Sequence, residues 1–215
     1  MPAPDTQTLL DALESASLRE LAAHGRIQSY RKDAIIIQEG DEGETLFIVL
    51  AGRVKVFSTG LDEREIVFDV HGPGEYVGEL SLDGGPRSAS VITLEPTTCS
   101  VVTRSILRDH IAKHPEFALE LLAKVIRRAR RATDNARDLA LLDVYGRVRR
   151  LLESLAVERE GARVIPEKLT HQEIADRVGS SREMVSRLMK DLERGGYIES
   201  AAKLITLRKP LPPAW

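Results

Sequence analysis

The segment that most constrains this chain lies near its C-terminal end: Thr170-His-Gln-Glu-Ile-Ala-Asp-Arg-Val-Gly-Ser-Ser-Arg-Glu-Met-Val-Ser186. It reads as a helix, a tight turn at Gly179 and a second helix opening on Ser-Ser-Arg-Glu, the layout of a helix-turn-helix. Thr170 followed three residues later by Glu173 is a capping-box signature for the first helix. Ala175 and Gly179 are small enough to let two helices cross closely, with Ile174, Val178 and Val185 filling the core between them. At about 100° per residue the second helix has two distinct faces. With Arg182 at zero, Ser186, Lys190, Glu183 and Arg187 fall within about 140°, and Met184, Leu188, Leu192, Val185 and Met189 lie between about 200° and 340°.

The polar face suits a DNA major groove, because Arg bonds bidentately to guanine and Glu accepts from cytosine N4. Arg182, Glu183, Ser186 and Arg187 are candidate base-facing residues, and Thr170, Gln172 and Ser181 are candidate DNA contacts beside them. A charged helix face usually marks only a solvated surface. The upstream helix, with its cap and small crossing residues, favours DNA binding.

Charge points the same way. From Val144 onward there are 14 basic and 10 acidic residues, a net +4, against 17 and 23, a net −6, in the remainder. A mildly basic C-terminal part beside an acidic N-terminal part fits a nucleic-acid module joined to one of another kind. No run of about 18 apolar residues is present, and Met-Pro-Ala-Pro-Asp-Thr lacks the pattern of a secretory signal. A cytoplasmic location and no membrane partner are expected. The single cysteine, Cys99, excludes an internal disulfide, a Cys-rich zinc site and a four-thiolate cluster within one chain. Its β-branched surroundings, Thr97-Thr-Cys-Ser-Val-Val-Thr103, predict a buried strand position.

Three textures divide the chain. Residues 6–29 have leucines near helical spacing, predicting helix. From Arg31 to Thr103, short β-branched runs alternate with glycine turns: Ala34–Ile37, Leu46–Leu50, Val54–Phe57, Ile66–Val70 and Ser88–Thr93. Strands at this spacing predict an antiparallel barrel or jelly roll. From Pro115 to Asp143 a helix of roughly 40 Å is predicted. Leu119, Leu122, Ile126, Ala129, Thr133, Ala136 and Ala140 form a narrow seam on it, better suited to a dimer contact than to a lone surface helix. Arg127, Arg128, Arg130, Arg131 and Arg137 lie mostly elsewhere and are read as a solvated face. A short helix over 146–157 leads into the helix-turn-helix, and Tyr197-Ile198 with Lys203–Leu207 predicts a hairpin wing. The fold class is α+β: an antiparallel β-roll with an N-terminal helix (1–114), a dimerisation helix and hinge (115–143), and a winged helix-turn-helix (144–215).

Between the strands sits Gly78-Glu-Leu-Ser-Leu-Asp-Gly-Gly-Pro-Arg-Ser-Ala-Ser90. Gly78, Glu79 and Leu80 open a short turn whose amides can face an anion. Arg87 and Ser88 add a guanidinium and a hydroxyl for phosphate oxygens, and Glu79 can accept from a ribose hydroxyl. Many glycine- and serine-containing turns are plain connections. Here, Gly-Glu-Leu followed by Pro-Arg-Ser-Ala resembles the phosphate-binding cassette of cyclic-nucleotide-binding domains. Leu142-Asp-Val-Tyr-Gly-Arg147 and Thr170–Arg187 resemble the hinge and helix-turn-helix of the Crp–Fnr family of bacterial transcription regulators, so the likeness spans nearly the whole chain.

That resemblance implies a homodimer through residues 115–143, with Gly78, Glu79, Leu80, Arg87 and Ser88 holding the cyclic phosphate and ribose. It implies that Arg182, Glu183 and Arg187 read a TGTGA-like half-site, and that RNA polymerase is a partner. The acidic turn Leu61-Asp-Glu-Arg-Glu65 is a candidate polymerase contact, although such hairpin tips are commonly just solvated. One position departs from the cyclic-AMP receptor pattern of two adjacent base-contacting hydroxyls: Ala132 precedes Thr133. Thr133 remains as a base contact, and cyclic AMP or a related nucleotide is the expected effector, with no tightly bound cofactor. Activity without a ligand is the alternative. No metal site is assigned to His24, His71, His110 or His114. With no Ser/His/Asp set, Cys/His set or paired carboxylates in evidence, an enzyme such as a nucleotide hydrolase is the remote third reading.

Overall fold

In the computed structural model, residues 5–60, 65–159, 161–201 and 204–214 are described. Two compact units divide the chain, Met1–Ser58 with Val67–Ala129, and Thr59–Ile66 with Arg130–Trp215.

The first unit opens with helices α1 (Thr6–Asp11) and α2 (Ala16–His24), followed by strand β1 (Arg26–Tyr30). The continuous helix expected over 6–29 is therefore interrupted twice. Ser15 starts a new helix by accepting from the Leu18 amide, and Gly25 ends it. The sequence Arg26-Ile-Gln-Ser-Tyr30 pairs antiparallel with Arg26 opposite Val101 and Tyr30 opposite Thr97. The remaining strands are β2 (Ile35–Ile37), β3 (Thr45–Ala51), β4 (Val54–Thr59), β5 (Glu65–His71), β6 (Tyr76–Val77), β7 (Ser90–Thr93) and β8 (Thr97–Thr103). They form two four-stranded sheets, β1-β8-β3-β6 and β2-β7-β4-β5, the expected roll. The acidic tip proposed for polymerase lies, apart from Glu65, outside the described residues.

Strand β3 shows what the sheets are built around. Its Leu46, Ile48 and Leu50 pack with Leu18, Leu21, Leu107 and Phe117 on the helical side. The alternate residues Phe47 and Val49 pack with Val54, Val91 and Cys99 between the sheets. A strand covered on both faces carries a continuous apolar run rather than an alternating one. Cys99 is fully buried, and burial pushes its thiol up to about 12. Helix α3 (Arg104–Lys113), which sequence pattern did not indicate, starts on Thr103, whose hydroxyl accepts from the Ile106 amide. The long helix α4 runs Pro115–Leu141, matching the expected span within two residues.

In the second unit, α5 (Val144–Leu155) is capped by Asp143, which accepts from the Gly146 amide at 2.7 Å. Strands β9 (Val157–Arg159), β10 (Ala162–Ile165), β11 (Ile198–Ala201) and β12 (Leu204–Leu207) form one sheet, β11-β12-β10-β9. The wing is thus four-stranded where a hairpin was expected. Helices α6 (His171–Val178) and α7 (Arg182–Arg194) complete the unit. Its core joins Val148, Leu152, Ile165, Ile174, Val185 and Leu192.

Candidate functional site

The turn expected to hold a phosphate is a single 3-10 turn, Glu79–Ser81, entered through Gly78 at φ 91°. That left-handed backbone favours glycine, and space requires it as well. A Cβ on Gly78 would lie 2.6 Å from Arg87 Nη1 and 2.7 Å from the Thr45 carbonyl oxygen. The Arg87 guanidinium is buried at 7 % exposure and lies between Gly78 and Gly43. Its Nη1 donates to the carbonyls of Thr45 (2.9 Å) and Gly78 (3.0 Å) and to Ser81 Oγ (2.7 Å), and Nη2 donates to Thr45 Oγ1 (2.9 Å). No carboxylate comes within 4.0 Å of it among the described residues. Burial holds its pKa below the usual arginine range, with Asp41 and Glu79 opposing from farther away. A desolvated cation held by neutral acceptors favours an anion nearby. Ser88 and Leu80 are exposed beside it.

Glu79 is held otherwise than expected. Its side chain is 5 % exposed and forms a 2.5 Å ion pair with Arg128 of α4, itself 20 % exposed. Arg128 also donates to the Tyr76 carbonyl at 2.6 Å and lies 5.4 Å from the centroid of the Tyr76 ring. Lys124, one turn earlier, sits 4.3 Å over the same ring and 3.4 Å from Glu75. Reading the α4 arginines as a solvated face is corrected at Arg128: it is the cation that neutralises the Glu79 carboxylate. Sequence spacing along α4 could not reveal this, because the partner comes from a turn 49 residues earlier. Buried His71 extends the network, 3.8 Å from Asp69 and 3.9 Å from Glu75. Burial lowers its pKa, opposed by Asp69. Thr133 is exposed on α4, in the second unit.

The helix-turn-helix forms at the expected residues. Thr170 Oγ1 accepts from the Glu173 amide, and Glu173 accepts from the Thr170 amide at 2.6 Å, a complete capping box. Gly179 turns the chain at φ 61°. Ser181 caps α7 by accepting from the Met184 amide. Arg182, Glu183 and Arg187 are exposed and engage no partner among the described residues, which leaves their donors and acceptors available for base edges. The Gln172 amide donates to Asp176 along its own helix. Ser186 is partly buried, and its hydroxyl lies 2.7 Å from His171 Nδ1, which ties α7 to α6. Arg147 donates to the carbonyls of Val178 and Leu142, and Arg150 pairs with Asp138 at 2.5 Å. Arg150 thereby joins the last turn of α4 to α5, and Arg147 joins α5 to the end of α6, all within the second unit.

Comparison with known proteins matches residues 27–114 to the cyclic nucleotide-binding domain family and residues 146–210 to the Crp-like helix-turn-helix domain family. A CRP-like cAMP-activated global transcriptional regulator of Mycobacterium tuberculosis is 32% identical over 204 residues, 93% of this chain and 91% of that protein. The cAMP-activated global transcriptional regulator Vfr of Pseudomonas aeruginosa is 33% identical over 199 residues, covering 88% and 92%. Among solved structures, the c-di-GMP responsive global regulator CLP of Xanthomonas campestris superposes with a TM-score of 0.77 at 27% identity, over 90% of this chain and 98% of that one. A CooA mutant of Carboxydothermus hydrogenoformans, TM-score 0.79 at 19% identity over 97% and 93%, shares the fold. Among the described residues, no helix is long and apolar enough to cross a membrane.

Proposed function

The chain belongs to the Crp–Fnr family of DNA-binding transcription regulators, and from that membership we propose that it is a homodimer whose grip on DNA is modulated by a cyclic nucleotide. The observation that carries the effector half is Arg87, a buried guanidinium beside the Gly78 turn with no carboxylate to balance it. A cyclic phosphate supplies that balance, with the Ser88 hydroxyl beside it and Glu79 turned to the ribose. Both relatives are cAMP-activated regulators, which makes cyclic AMP the first nucleotide to test.

Dimerisation is supported by α4, where Leu119, Leu122 and Ile126 are 69%, 53% and 42% exposed at steps of three and four. An apolar stripe of that spacing is stable in water when a second helix covers it. Arg182, Glu183 and Arg187 suit a TGTGA-like half-site, repeated as a palindrome by the two-fold axis of the dimer. RNA polymerase is the partner proposed for an activator. The relatives are described as regulators rather than enzymes, and hydrolysis of the nucleotide is not part of the proposal.

Ligand-independent activity is the second reading, and one observation favours it: the pocket's charges are already occupied, Glu79 by Arg128 and Arg87 by four neutral bonds. Binding to a labelled TGTGA-N6-TCACA duplex, at one salt concentration with and without cyclic AMP, separates the two. A large gain with nucleotide supports the switch. Tight binding that ignores it supports the second reading, and no specific binding in either state removes the half-site assignment. Salt is fixed because phosphate contacts make affinity depend on it.

A further inference from the structure

We propose that Glu20, His110 and His114 form a binding site for a divalent transition-metal ion of the zinc class, separate from the nucleotide pocket and the DNA-reading helix. Glu20 projects from α2, His110 from the last turn of α3, and His114 closes α3 just before Pro115 begins α4. One ligand atom from each lies within 4.8 Å of the others. This convergence of three donors from two separate helices is the feature that suggests a metal.

Their chemistry and spacing agree with it. Imidazoles at i and i+4 share one face of a helix, an arrangement zinc sites use for two of their ligands. The two rings are 4.7 Å apart between centroids. His114 Nε2 lies 3.0 Å from Glu20 Oε1. Two ligands of one tetrahedral zinc ion are about 3.4 Å apart, given metal–ligand bonds of about 2.1 Å, so the Glu20–His114 pair opens slightly while the His110 atom, within 4.8 Å of both, closes onto the ion. The surroundings hold both rings. The other nitrogen of His114, Nδ1, is 3.6 Å from Glu116 Oε1, the position of a carboxylate that orients a metal-bound imidazole from behind. His110 Nε2 lies 3.0 Å from the Ser17 hydroxyl, and the Phe117 ring meets it edge-on at 5.1 Å. Two imidazoles and one carboxylate suit zinc and its neighbours, whereas calcium and magnesium favour oxygen donors. Three protein ligands leave a fourth position for water. An ion there would clamp α2 to the junction of α3 and α4, all within the first unit.

The simpler account is a surface hydrogen bond between Glu20 and His114 that a metal ignores. Calorimetric titration of tag-free, chelator-treated full-length protein with zinc chloride distinguishes the two, and cobalt substitution adds a spectrum. We expect one zinc per chain at micromolar metal, and the visible bands of tetrahedral cobalt. His114→Gln and Glu20→Gln alter partly exposed side chains, so both variants should fold. Each should weaken zinc binding by about tenfold or more, while His71→Gln leaves it unchanged. No uptake by the wild type, absent cobalt bands, or affinity indifferent to both substitutions would overturn the proposal. So would a loss that follows His71 instead.

Discussion

Replacing Arg128 with alanine tests the reading of the pocket most directly. Glu79 is 5 % exposed at the side chain and Arg128 20 %, so removing the arginine strands a carboxylate with little access to water. Breaking a buried ion pair on one side costs about 3–5 kcal/mol, because the remaining charge is left uncompensated. Solvent reaches Arg128 in part, which places the expected loss at the lower end, about 3 kcal/mol. The bond to the Tyr76 carbonyl disappears in the same variant. Glu79→Gln removes the charge but keeps an oxygen acceptor, and should cost about 1 kcal/mol. The double variant should therefore be less damaged than the two single losses added together, by about 2 kcal/mol. Urea unfolding of the full chain, followed by circular dichroism for all four proteins, gives this coupling. Strict additivity, or an Arg128→Ala loss below about 0.5 kcal/mol, would show that water already solvates Glu79 and would refute the argument.

Three further outcomes are expected. Gly43→Ala places a Cβ 2.7 Å from Arg87 Nη2 at a position with no left-handed backbone, so calorimetry should show cyclic AMP affinity falling about tenfold or more while the fold is kept. Glu183→Ala should relax base choice at one position of the half-site, costing about 1–3 kcal/mol against the preferred base in competition binding; an equal loss on all sequences would mean that Glu183 reads no base. Burial holds the His71 pKa below its ordinary 6.5, so the unfolded chain binds the extra proton first. The resulting stability is present above about pH 6.5 and is lost as the pH falls toward the folded value, a loss that His71→Gln should reduce in pH-dependent thermal unfolding.

What the sequence disclosed depended on whether a signal was local. The capping box of Thr170 and Glu173, the turn at Gly179 and the two-faced α7 are set by residues within a few positions of one another, and each is found where expected. The strands of the roll were legible from β-branched runs divided by glycines. Strand β1 was not, because Arg26-Ile-Gln-Ser-Tyr30 follows a leucine-rich helix and pairs with β8, some 70 residues on. The same limit governs the site. Gly78, Glu79 and Arg87 lie within ten residues and form a recognisable cassette. Arg128 and the Thr45 acceptors reach it only through the fold, as His171 reaches Ser186 between two helices. In both places a polar side chain read from local sequence as facing outward also bonds a buried or half-buried group.

These internal bonds also limit what a ligand can do. A nucleotide entering this pocket does not meet idle charges, since Glu79 already has Arg128 and the Arg87 donors already have oxygens. Binding is an exchange of partners, and its gain is the difference between the old bonds and the new ones. A ligand shifts a conformational equilibrium only by its differential affinity for the two states, and moving it from 1:99 to 99:1 takes about 5.5 kcal/mol. In the proposed cyclic-AMP reading, Ala132 stands where the family pattern has a hydroxyl, one contact fewer to offer the base. The two proposed modes are therefore ends of one scale. If the ligand-free chain already favours the DNA-binding state, a weak nucleotide changes little. If it does not, the charge balance supplied to Arg87 must provide most of the shift. Helix α4 carries Arg128 toward its middle and Asp138, paired with Arg150 of α5, near its end.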